Sequence, residues 1–268
     1  MPRRARREVL DHLGLVAGMF DGLGIGDVLD QVLQHTPETR MVTVGSAVKA
    51  MGLNGLGLVN QQLSLGPMVF QNQPTPRLIA PGVDAQRLHD DTLGRALDKL
   101  YDDGVTALYS LTAATAAQRL GLAPTFAPLE SPSFPVDGCD SSAEEPDAEV
   151  MHIRRGYSRA HRPDLSHAML DLMVEHQAGV PRLMQPLSGK SSDVQDFGQV
   201  VTEHLKPLQT TSGTTDLVAD SALYSAETLQ QRGEPGLPGI TRVPAPVPEA
   251  QAVLARAHPD TMAPLAED

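Results

Sequence analysis

The stretch that decides the fold is Thr215-Asp216-Leu217-Val218-Ala219-Asp220-Ser221-Ala222-Leu223-Tyr224-Ser225. The short apolar run from Leu217 to Ala219 predicts a strand, and Ser221 or Ser225 can cap a helix that follows it. Ligands and chemistry in α/β proteins gather beyond the carboxyl ends of strands, so Asp220 stands where a catalytic acid would be placed. The alternative is an Asp that only helps to cap the next helix, and taken alone this stretch favours the alternative.

The composition excludes several classes of protein. With 268 residues, 41% of them hydrophobic and none of them Trp, the chain can form one large or two ordinary domains built on Leu, Val, Ala and Met. The single cysteine, Cys139, excludes an internal disulfide and a cysteine-based zinc site. No apolar run reaches the roughly 18 residues of a membrane span, and the basic start lacks the apolar core of a signal peptide. We therefore expect a cytoplasmic protein.

The charge is divided unevenly along the chain. A net charge of −12 argues against a simple nucleic-acid binder. However, residues 1–120 hold 11 Lys and Arg against 12 Asp and Glu, whereas residues 121–268 hold 10 against 21. The acidity therefore belongs to the second half, and the nearly neutral first half can still present a basic face.

Residues 1–120 read as an all-helical domain. Apolar residues recur at helical spacing in five segments. These are Leu13, Val16, Met19, Phe20 and Leu23; Val28, Leu29, Val32 and Leu33; Val48, Met51 and Leu53; Leu93, Leu97, Leu100 and Tyr101; and Leu108, Leu111 and Leu120. The predicted breaks and caps are Gly24 and Gly26, Thr43 or Ser46, Asp90 or Asp91, and Gly104. Such a domain is commonly a DNA-binding or interaction module, and a plain helical bundle is equally compatible with the pattern.

From Gly121 the periodicity changes to that of strands. We predict strands over 125–136, 168–176, 180–187, 217–219 and 240–243, with a turn at Gln177-Ala178-Gly179 and helices over 191–205 and 226–231. Carboxylates stand at the tips of the first and fourth strands, as Glu130 and Asp220. We expect a catalytic core over residues 121–243 and a Pro-rich, largely disordered tail over 244–268.

Two other features of this half carry no predicted function. Gly189-Lys190-Ser191 resembles the end of a phosphate-binding loop, but Met184 stands where such a loop needs its first glycine. His152, His161, His167 and His176 lack tight metal-ligand spacing, and we interpret them as surface or partly satisfied groups.

Six motifs together resemble one known family. They are Leu93-Gly94-Arg95-Ala96-Leu97-Asp98-Lys99-Leu100-Tyr101, Gly156-Tyr157-Ser158-Arg159, His161-Arg162-Pro163-Asp164-Leu165, Gly179-Val180-Pro181, Ser188-Gly189-Lys190-Ser191-Ser192-Asp193 and Val218-Ala219-Asp220-Ser221-Ala222-Leu223-Tyr224. The set, over roughly residues 8–253, is similar to the DDE-type transposases of bacterial insertion sequences. It resembles the group with a Tyr-Arg-Glu-Lys signature, in the branch with a helical N-terminal domain of unassigned function.

The resemblance implies a fold, a cofactor and a partner. It implies an α+β or α/β protein, with an all-helical N-terminal domain followed by an incomplete RNase H-like mixed sheet with helices. It implies two divalent ions, Mg²⁺ or Mn²⁺, held by three carboxylates, because such ions stabilise the attacking and leaving oxygens of a phosphodiester and prefer oxygen ligands. It also implies DNA at element ends as partner, self-association, no membrane, and a nucleoid-associated location in the bacterial cytoplasm.

Site residues follow from the same resemblance. Asp220 matches the second family carboxylate, and Glu130 stands at the position of the first, which the family fills with Asp. Both are the expected catalytic and metal-binding residues. Arg154, Arg155, Arg159 and Arg162 are the expected DNA-phosphate contacts, with a solvated charged loop as the alternative.

The chain departs from the family pattern at three points. Glu130 is one methylene longer than the family Asp, the third carboxylate with its Tyr-Arg-Glu-Lys segment has no counterpart, and Pro128, Pro132 and Pro135 interrupt the strand that carries Glu130. We therefore expect a truncated, degenerate and inactive copy. The alternatives are a non-catalytic DNA-binding remnant that occupies element ends, and an α/β protein with an unrelated small-molecule role.

Overall fold

The computed structural model describes residues 11–33, 41–56, 65–123, 126–136, 151–155, 162, 164–189, 216–219, 224, 239–244 and 246–257. The chain divides into two compact units. The helical unit comprises Met1–Leu122 with Arg182–Met184, and the sheet unit comprises Ala123–Pro181 with Gln185–Asp268. Each unit is described by itself below.

The helical unit begins with three helices, α1 (Asp11–Leu23), α2 (Ile25–Val32) and α3 (Val44–Leu56). The predicted break between the first two is Gly24, whose φ of 70° lies in the left-handed region that glycine tolerates best. Among the described residues no single helix is long and apolar enough to cross a membrane. The pair His12–Leu23 and Ile25–Val32 passes that test together, but it bends by 51°. Thr43 caps α3 as predicted, since its Oγ1 accepts a hydrogen bond from the Ser46 amide at 3.1 Å.

Helices α2 and α3 approach each other closely at two glycines. A Cβ at Gly45 would lie 2.4 Å from the carbonyl oxygen of Gly26, so only glycine fits at this crossing. The Gly45 amide, near the start of α3, donates to Oδ1 of Asp30 at 2.8 Å. On the same helix the ammonium of Lys49, only 3% exposed, donates to both oxygens of Asp21 at 2.7 and 2.8 Å. The buried charge is thereby compensated.

The segment from 66 to 88 supplies much of the helical core. It contains two short helices, α4 (Gly66–Phe70) and α5 (Thr75–Leu78), and a 3₁₀ turn at Ala85–Arg87. Its buried side chains pack with those of the longer helices in one apolar cluster. The members from this segment are Phe70, Leu78, Ile79, Val83 and Leu88. No element is predicted here from the sequence, because helices this short show no periodicity.

Helices α6 (Asp90–Asp102) and α7 (Val105–Arg119) complete the unit and are separated by Gly104, as predicted. Asp90 opens α6, as predicted. His89 is the N-cap, and its ring accepts a hydrogen bond from the Thr92 amide at 3.4 Å, while Asp90 and Asp91 lie in the first turn. At the end of α7 the guanidinium of Arg119 donates to the Gly22 carbonyl in the last turn of α1 at 3.0 Å.

Several residues assigned to apolar faces of these helices are exposed. They are Met19, Val32, Leu97, Tyr101, Leu111 and Leu120. Smaller residues take their place in the core, notably Ala17, Ala47, Ala50 and Ala96. Alanine lets helix axes come close, so these smaller side chains allow the helices to pack tightly.

The sheet unit contains one mixed seven-stranded sheet. Its strands are β1 (Phe126–Glu130), β2 (Ser133–Val136), β3 (Arg154–Arg155), β4 (Ser166–Val174), β5 (Pro181–Ser188), β6 (Asp216–Ala219) and β7 (Gly239–Thr241). The central strand β1 runs antiparallel to β4 and parallel to β6, which in turn is parallel to β7. Strands β2, β3 and β5 also pair with β4.

Proline interrupts the first predicted strand without changing its register. Leu129 pairs with Met173 before the interruption and Ser133 with Met169 after it, so both pieces follow one continuous alignment along β4. Between them the carbonyl of Pro132 still accepts from the Leu170 amide at 3.0 Å. Proline has no N–H to return that bond, which explains why the strand divides into β1 and β2 at this point.

The fold class is therefore confirmed as α+β, with a helical part followed by a mixed sheet. The turn between β4 and β5 has the predicted Gly179 at a φ of 70°. The predicted helices at 191–205 and 226–231 lie outside the described residues, as does the end of the predicted tail. Within that tail the structure has a nine-residue helix, α8 (Pro248–Arg256), none of whose residues is buried.

Candidate carboxylate site at the end of the first strand

Glu130 is the last residue of β1, and the alternation of that strand decides where its side chain lies. Leu129 is buried at 1% exposure and Ser131 at 2%, whereas Glu130 between them is exposed. Successive residues of a strand point to opposite faces. The Glu130 carboxylate therefore lies on the face opposite the one that buries Leu129, in contact with solvent.

The register of β1 and β6 relates the two predicted acids. The strands are parallel, and Leu129 pairs with Ala219. In the sequence the next residues are Glu130 and Asp220. Asp220 itself lies outside the described residues, so the meeting of the two carboxylates stays a prediction. Parallel strands bring their carboxyl ends to the same edge of a sheet, which is the edge at which Glu130 lies.

A buried hydrogen bond fixes the chain immediately after Glu130. The Ser131 hydroxyl donates to Oδ1 of Asp171 on the neighbouring strand β4, and Asp171 is completely buried. A buried carboxylate needs such partners because burial otherwise disfavours its charge. The bond joins β1 to β4 at the point where Pro132 removes a backbone donor, and so it holds the end of the strand that carries Glu130.

A second buried acid, Glu175, directly follows the last residue of β4. The Glu175 carboxylate is 1% exposed and accepts hydrogen bonds from the amides of Gln177, Ala178 and Val180 at 2.7, 2.6 and 3.0 Å. Burial acts to raise the pKa of Glu175, but the three amide hydrogen bonds outweigh it and the pKa is lowered. The carboxylate therefore stays charged and locks the hairpin between β4 and β5.

The hairpin also positions the start of β1. The His176 ring accepts from the Phe126 amide at 3.4 Å and stands edge-on to the Phe126 ring, with centroids 5.2 Å apart. The Gln177 side chain exchanges hydrogen bonds with the backbone of Ala123. Both ends of β1 are thus attached to β4 or to its turn.

The structure separates two of the predicted DNA-binding arginines. Arg154 and Arg155 form β3 and pair with His167 and Ser166 at the start of β4. Paired residues share a face of the sheet, so Arg155 lies on the face of Glu130 and Arg154 on the opposite one. Glu130 pairs with Leu172, six residues along β4 from Ser166, which corresponds to roughly 20 Å.

The other two arginines stand differently. Arg159 lies outside the described residues. Arg162 forms an exposed bidentate pair with Asp164, with Nε to Oδ1 at 2.8 Å and Nη2 to Oδ2 at 2.7 Å. That hydrogen bond lowers the pKa of Asp164 to about 2, and the charges of Arg162 and Arg155 act in the same direction. Arg155 and Arg162 therefore both lie near Asp164.

Sequence reasoning missed the buried polar residues of β4. Asp171 and Glu175 are read as ordinary strand positions in an alternating run, and nothing local marks a carboxylate that is bonded across the sheet. His167 corrects the interpretation of the histidines. It is completely buried, and neither ring nitrogen has a hydrogen-bond partner in the part of the chain that the structure describes. Its burial could have been predicted from the alternation of the strand, because His167 shares a face with Met169, Asp171 and Met173.

The described side chains include some, but not all, of the oxygen ligands that a metal site would need. The exposed Glu130 carboxylate is an oxygen ligand of the kind that Mg²⁺ prefers. Over the described ranges, however, no three His, Cys, Asp or Glu residues gather so that they could hold a metal ion. Of the two predicted metal ligands, the described residues thus include one, Glu130.

Comparisons with known proteins give two matches. Residues 5–114 match the family model DUF4277, described as a domain of unknown function. Among solved structures the chain is similar to that of the Mos1 transposase paired-end complex with left transposon end, with 7% identity and a TM-score of 0.30. That similarity covers 78% of this chain and 62% of the other, and at this score it carries no argument. No curated protein matches.

Proposed function

We propose that this chain is a transposase-like, DNA-binding protein whose sheet carries the remnant of a divalent-metal site formed by Glu130 and Asp220. The observation that carries the proposal is the pairing of Leu129 with Ala219 on adjacent parallel strands. Each of these residues is followed directly by one of the two acids that the family resemblance assigns to catalysis. The match of residues 5–114 to a domain without assigned function is compatible with the helical domain of that family branch.

In this proposal Glu130 and Asp220 would hold the ion. When bound, Mg²⁺ or Mn²⁺ supplies charge stabilisation for the oxygens of a phosphodiester. The chain's own contribution is orientation. The Ser131–Asp171 hydrogen bond and the Leu129–Met173 pairing fix the backbone on either side of Glu130.

The same residues argue for weak or absent cleavage. The Glu130 carboxylate stands one methylene further from the backbone than an Asp would, a displacement of about 1 Å. Misplacements of that size can cost about 100-fold in rate. The described residues add no third acid beside Glu130, and a ligand set of two acids alone would be too small to hold two ions.

DNA contact through the arginines belongs to the proposal as well. Arg155 lies on the face of Glu130, so it can contact a phosphate that approaches this side of the sheet. Arg162 pairs with the exposed Asp164, and an exposed ion pair is weak enough for a phosphate to replace the carboxylate. Arg154 on the opposite face and Arg159 complete the predicted set.

A second function is favoured by two observations. Glu130 stands where the family has Asp, and the described residues place no third acid beside it. The chain would then bind element ends without cutting them and so occupy sites that an active relative uses. This version keeps the DNA contacts and dispenses with the metal.

A cleavage and binding experiment tests both versions. The probe is a supercoiled plasmid carrying the DNA that flanks the chain's own gene, incubated with Mg²⁺ or Mn²⁺. We expect the wild-type chain to shift fragments of this DNA, and to nick the plasmid no more than Asp220→Asn does. Glu130→Asp should not restore nicking. Nicking by Glu130→Asp would refute the claim of an incomplete site, and equal binding to an unrelated plasmid would refute recognition of element ends.

A further inference from the structure

Most of the exposed basic residues that the structure describes in the helical unit lie in one place. Its described residues include seven Lys and Arg, of which Arg182 is buried, Lys49 is buried against Asp21 and Arg119 caps the end of α1. Three of the remaining four, Arg77, Arg87 and Arg95, line two clefts, and the fourth is Lys99. The unit as a whole is not basic, so this concentration is not a by-product of its composition.

The two clefts adjoin. The first, of about 430 Å³, lies between the start of α3 and the segment Asp84–Ala96, with Thr43, His89 and Thr92 among its polar lining residues. The second, of about 750 Å³, lies along α4 and α5 and contains Gln73 and Arg77. Asp84 and Gln86 line both. We call the combined feature the arginine groove.

The arginines of the groove are available for an outside ligand. Arg87 interacts with Asp84 at 3.4 Å, and Arg95 pairs with Asp91 one turn earlier in α6. In both pairs the side chains are exposed, and exposed ion pairs of this kind contribute little to stability. An anion with more than one oxygen can therefore displace or share these carboxylates, because guanidinium groups bind phosphate oxygens in a bidentate manner.

The groove also has neutral donors beside the arginines. The hydroxyl of Thr92 lies in its lining, whereas that of Thr43 donates to the Ser46 hydroxyl at 3.0 Å; Asp84 is its one carboxylate against three guanidinium groups. Sugar and phosphate oxygens of nucleic acids are commonly bound by such mixtures of Arg and hydroxyl side chains.

We propose that the arginine groove binds phosphate groups, and that its ligand is the backbone of duplex DNA. The choice of DNA over a free phosphate rests on the proposed function and on the extent of the groove, which places arginines in two successive clefts. The helical unit would thus bind DNA independently of the carboxylates in the sheet.

A matched pair of variants on one helix tests the proposal. Arg95 and Lys99 both lie on α6, and each pairs with an aspartate four residues away, but only Arg95 lines the groove. Affinity of the full chain for flanking and random duplexes is measured by fluorescence anisotropy over a series of salt concentrations. For each phosphate contact that is lost, the slope of log affinity against log salt falls by about 0.9. We expect this fall for Arg95→Gln, about three times as much for Arg77→Gln/Arg87→Gln/Arg95→Gln, and none for Lys99→Gln.

A second arm separates failure of the groove from failure of the proposed function. Amide NMR shifts of the full chain are recorded with inorganic phosphate against chloride at equal ionic strength. Shifts around Thr92 and Arg95 that the triple variant abolishes support a phosphate site, even if the wild-type chain binds no DNA and the proposed function fails. Equal slopes for Arg95→Gln and Lys99→Gln, or phosphate shifts that persist in the triple variant, would overturn the proposal.

Discussion

The helical unit and the sheet unit bury different kinds of side chain. The helical core is a single cluster of apolar residues, and its buried Lys49 is compensated by one acid. The sheet buries a polar row along one face of β4, formed by His167, Asp171 and Glu175. Apolar packing tolerates adjustment, whereas a buried polar network depends on each partner. Stability in the first unit therefore depends mainly on packed volume, whereas in the second it depends on specific hydrogen bonds as well as on packed side chains such as Leu129, Met173 and Leu217.

The largest loss in the free energy of unfolding should come from removing a large buried side chain from the core of the helical unit. Phe70 is 1% exposed, whereas Met68 on the same short helix is 69% exposed. Phe70→Ala should lower the free energy of unfolding by about 3–5 kcal/mol, because it removes buried area and leaves a cavity. Met68→Ala should change it by less than about 0.5 kcal/mol. Urea unfolding measures both values.

Hydrogen exchange then sharpens the comparison between the units. We expect Phe70→Ala to reduce amide protection in α1 to α7 more than in the strands. Equal loss of protection in β4 and in α3 would contradict the distinction between the two units.

In the sheet unit, we expect the free energy of unfolding to fall most when a single buried hydrogen-bonding partner is removed. Glu175→Ala leaves three backbone amides of the β4–β5 turn without their acceptor, and we expect a loss of about 2–4 kcal/mol in the free energy of unfolding. Glu249→Ala, which removes an exposed carboxylate from α8, is the control and should be nearly neutral. A loss below about 1 kcal/mol for Glu175→Ala would show that the turn does not depend on this acid.

The pH dependence of the stability of the wild-type chain tests the same role of Glu175. The folded state lowers the pKa of Glu175 below its ordinary value of 4.5, so the stabilisation is present above that value and is lost as the pH falls through the lower, folded pKa. Urea titrations below pH 4.5 should show the wild-type advantage over Glu175→Ala shrinking. An advantage that grows towards acid would contradict the sign.

Two glycines of α3 provide the finest test of close packing in the helical unit. Gly45→Ala should destabilise by about 1–3 kcal/mol, since the added methyl meets the backbone of Gly26. At Gly52 of the same helix nothing lies within 4 Å of an added Cβ, and Gly52→Ala should stabilise by about 0.5–1 kcal/mol through helix propensity. Thermal unfolding of both variants checks the difference. Two changes of the same sign would show that the crossing adapts freely.

Elements that depend on interactions between sequence neighbours could be predicted, whereas those that depend on residues distant in the sequence could not. Local signals sufficed for the long helices and for the β4–β5 turn, because Gly24, Thr43, Gly104 and Gly179 act on their own neighbours. They failed for residues 66–88, where Phe70 and Leu88 reach the core from helices too short to be periodic. The prediction of the buried helix faces was partly wrong, since Leu97 and Tyr101 have helical spacing but are exposed to solvent.

The candidate site shows the same limit more sharply. The sequence singled out Glu130 through the resemblance and placed it correctly at the end of a strand. It did not predict Asp171 or Glu175 as anchors of that strand and its neighbour, because their partners lie 40 residues away or in a turn that must already be formed. The continuity of register across Pro132 was also hidden, since proline normally marks a break.

The central claim is that the register of β1 and β6 brings Glu130 and Asp220 together as ligands of one divalent ion. Mn²⁺ binding measured by electron paramagnetic resonance tests it most directly, with the wild-type chain, Glu130→Gln, Asp220→Asn and the double variant. We predict that each single substitution weakens binding of the same ion at least tenfold and that the double variant binds no more weakly than the worse single one, since the two acids act as a unit. Wild-type affinity in both single variants, or strictly additive losses in the double variant, would contradict the claim.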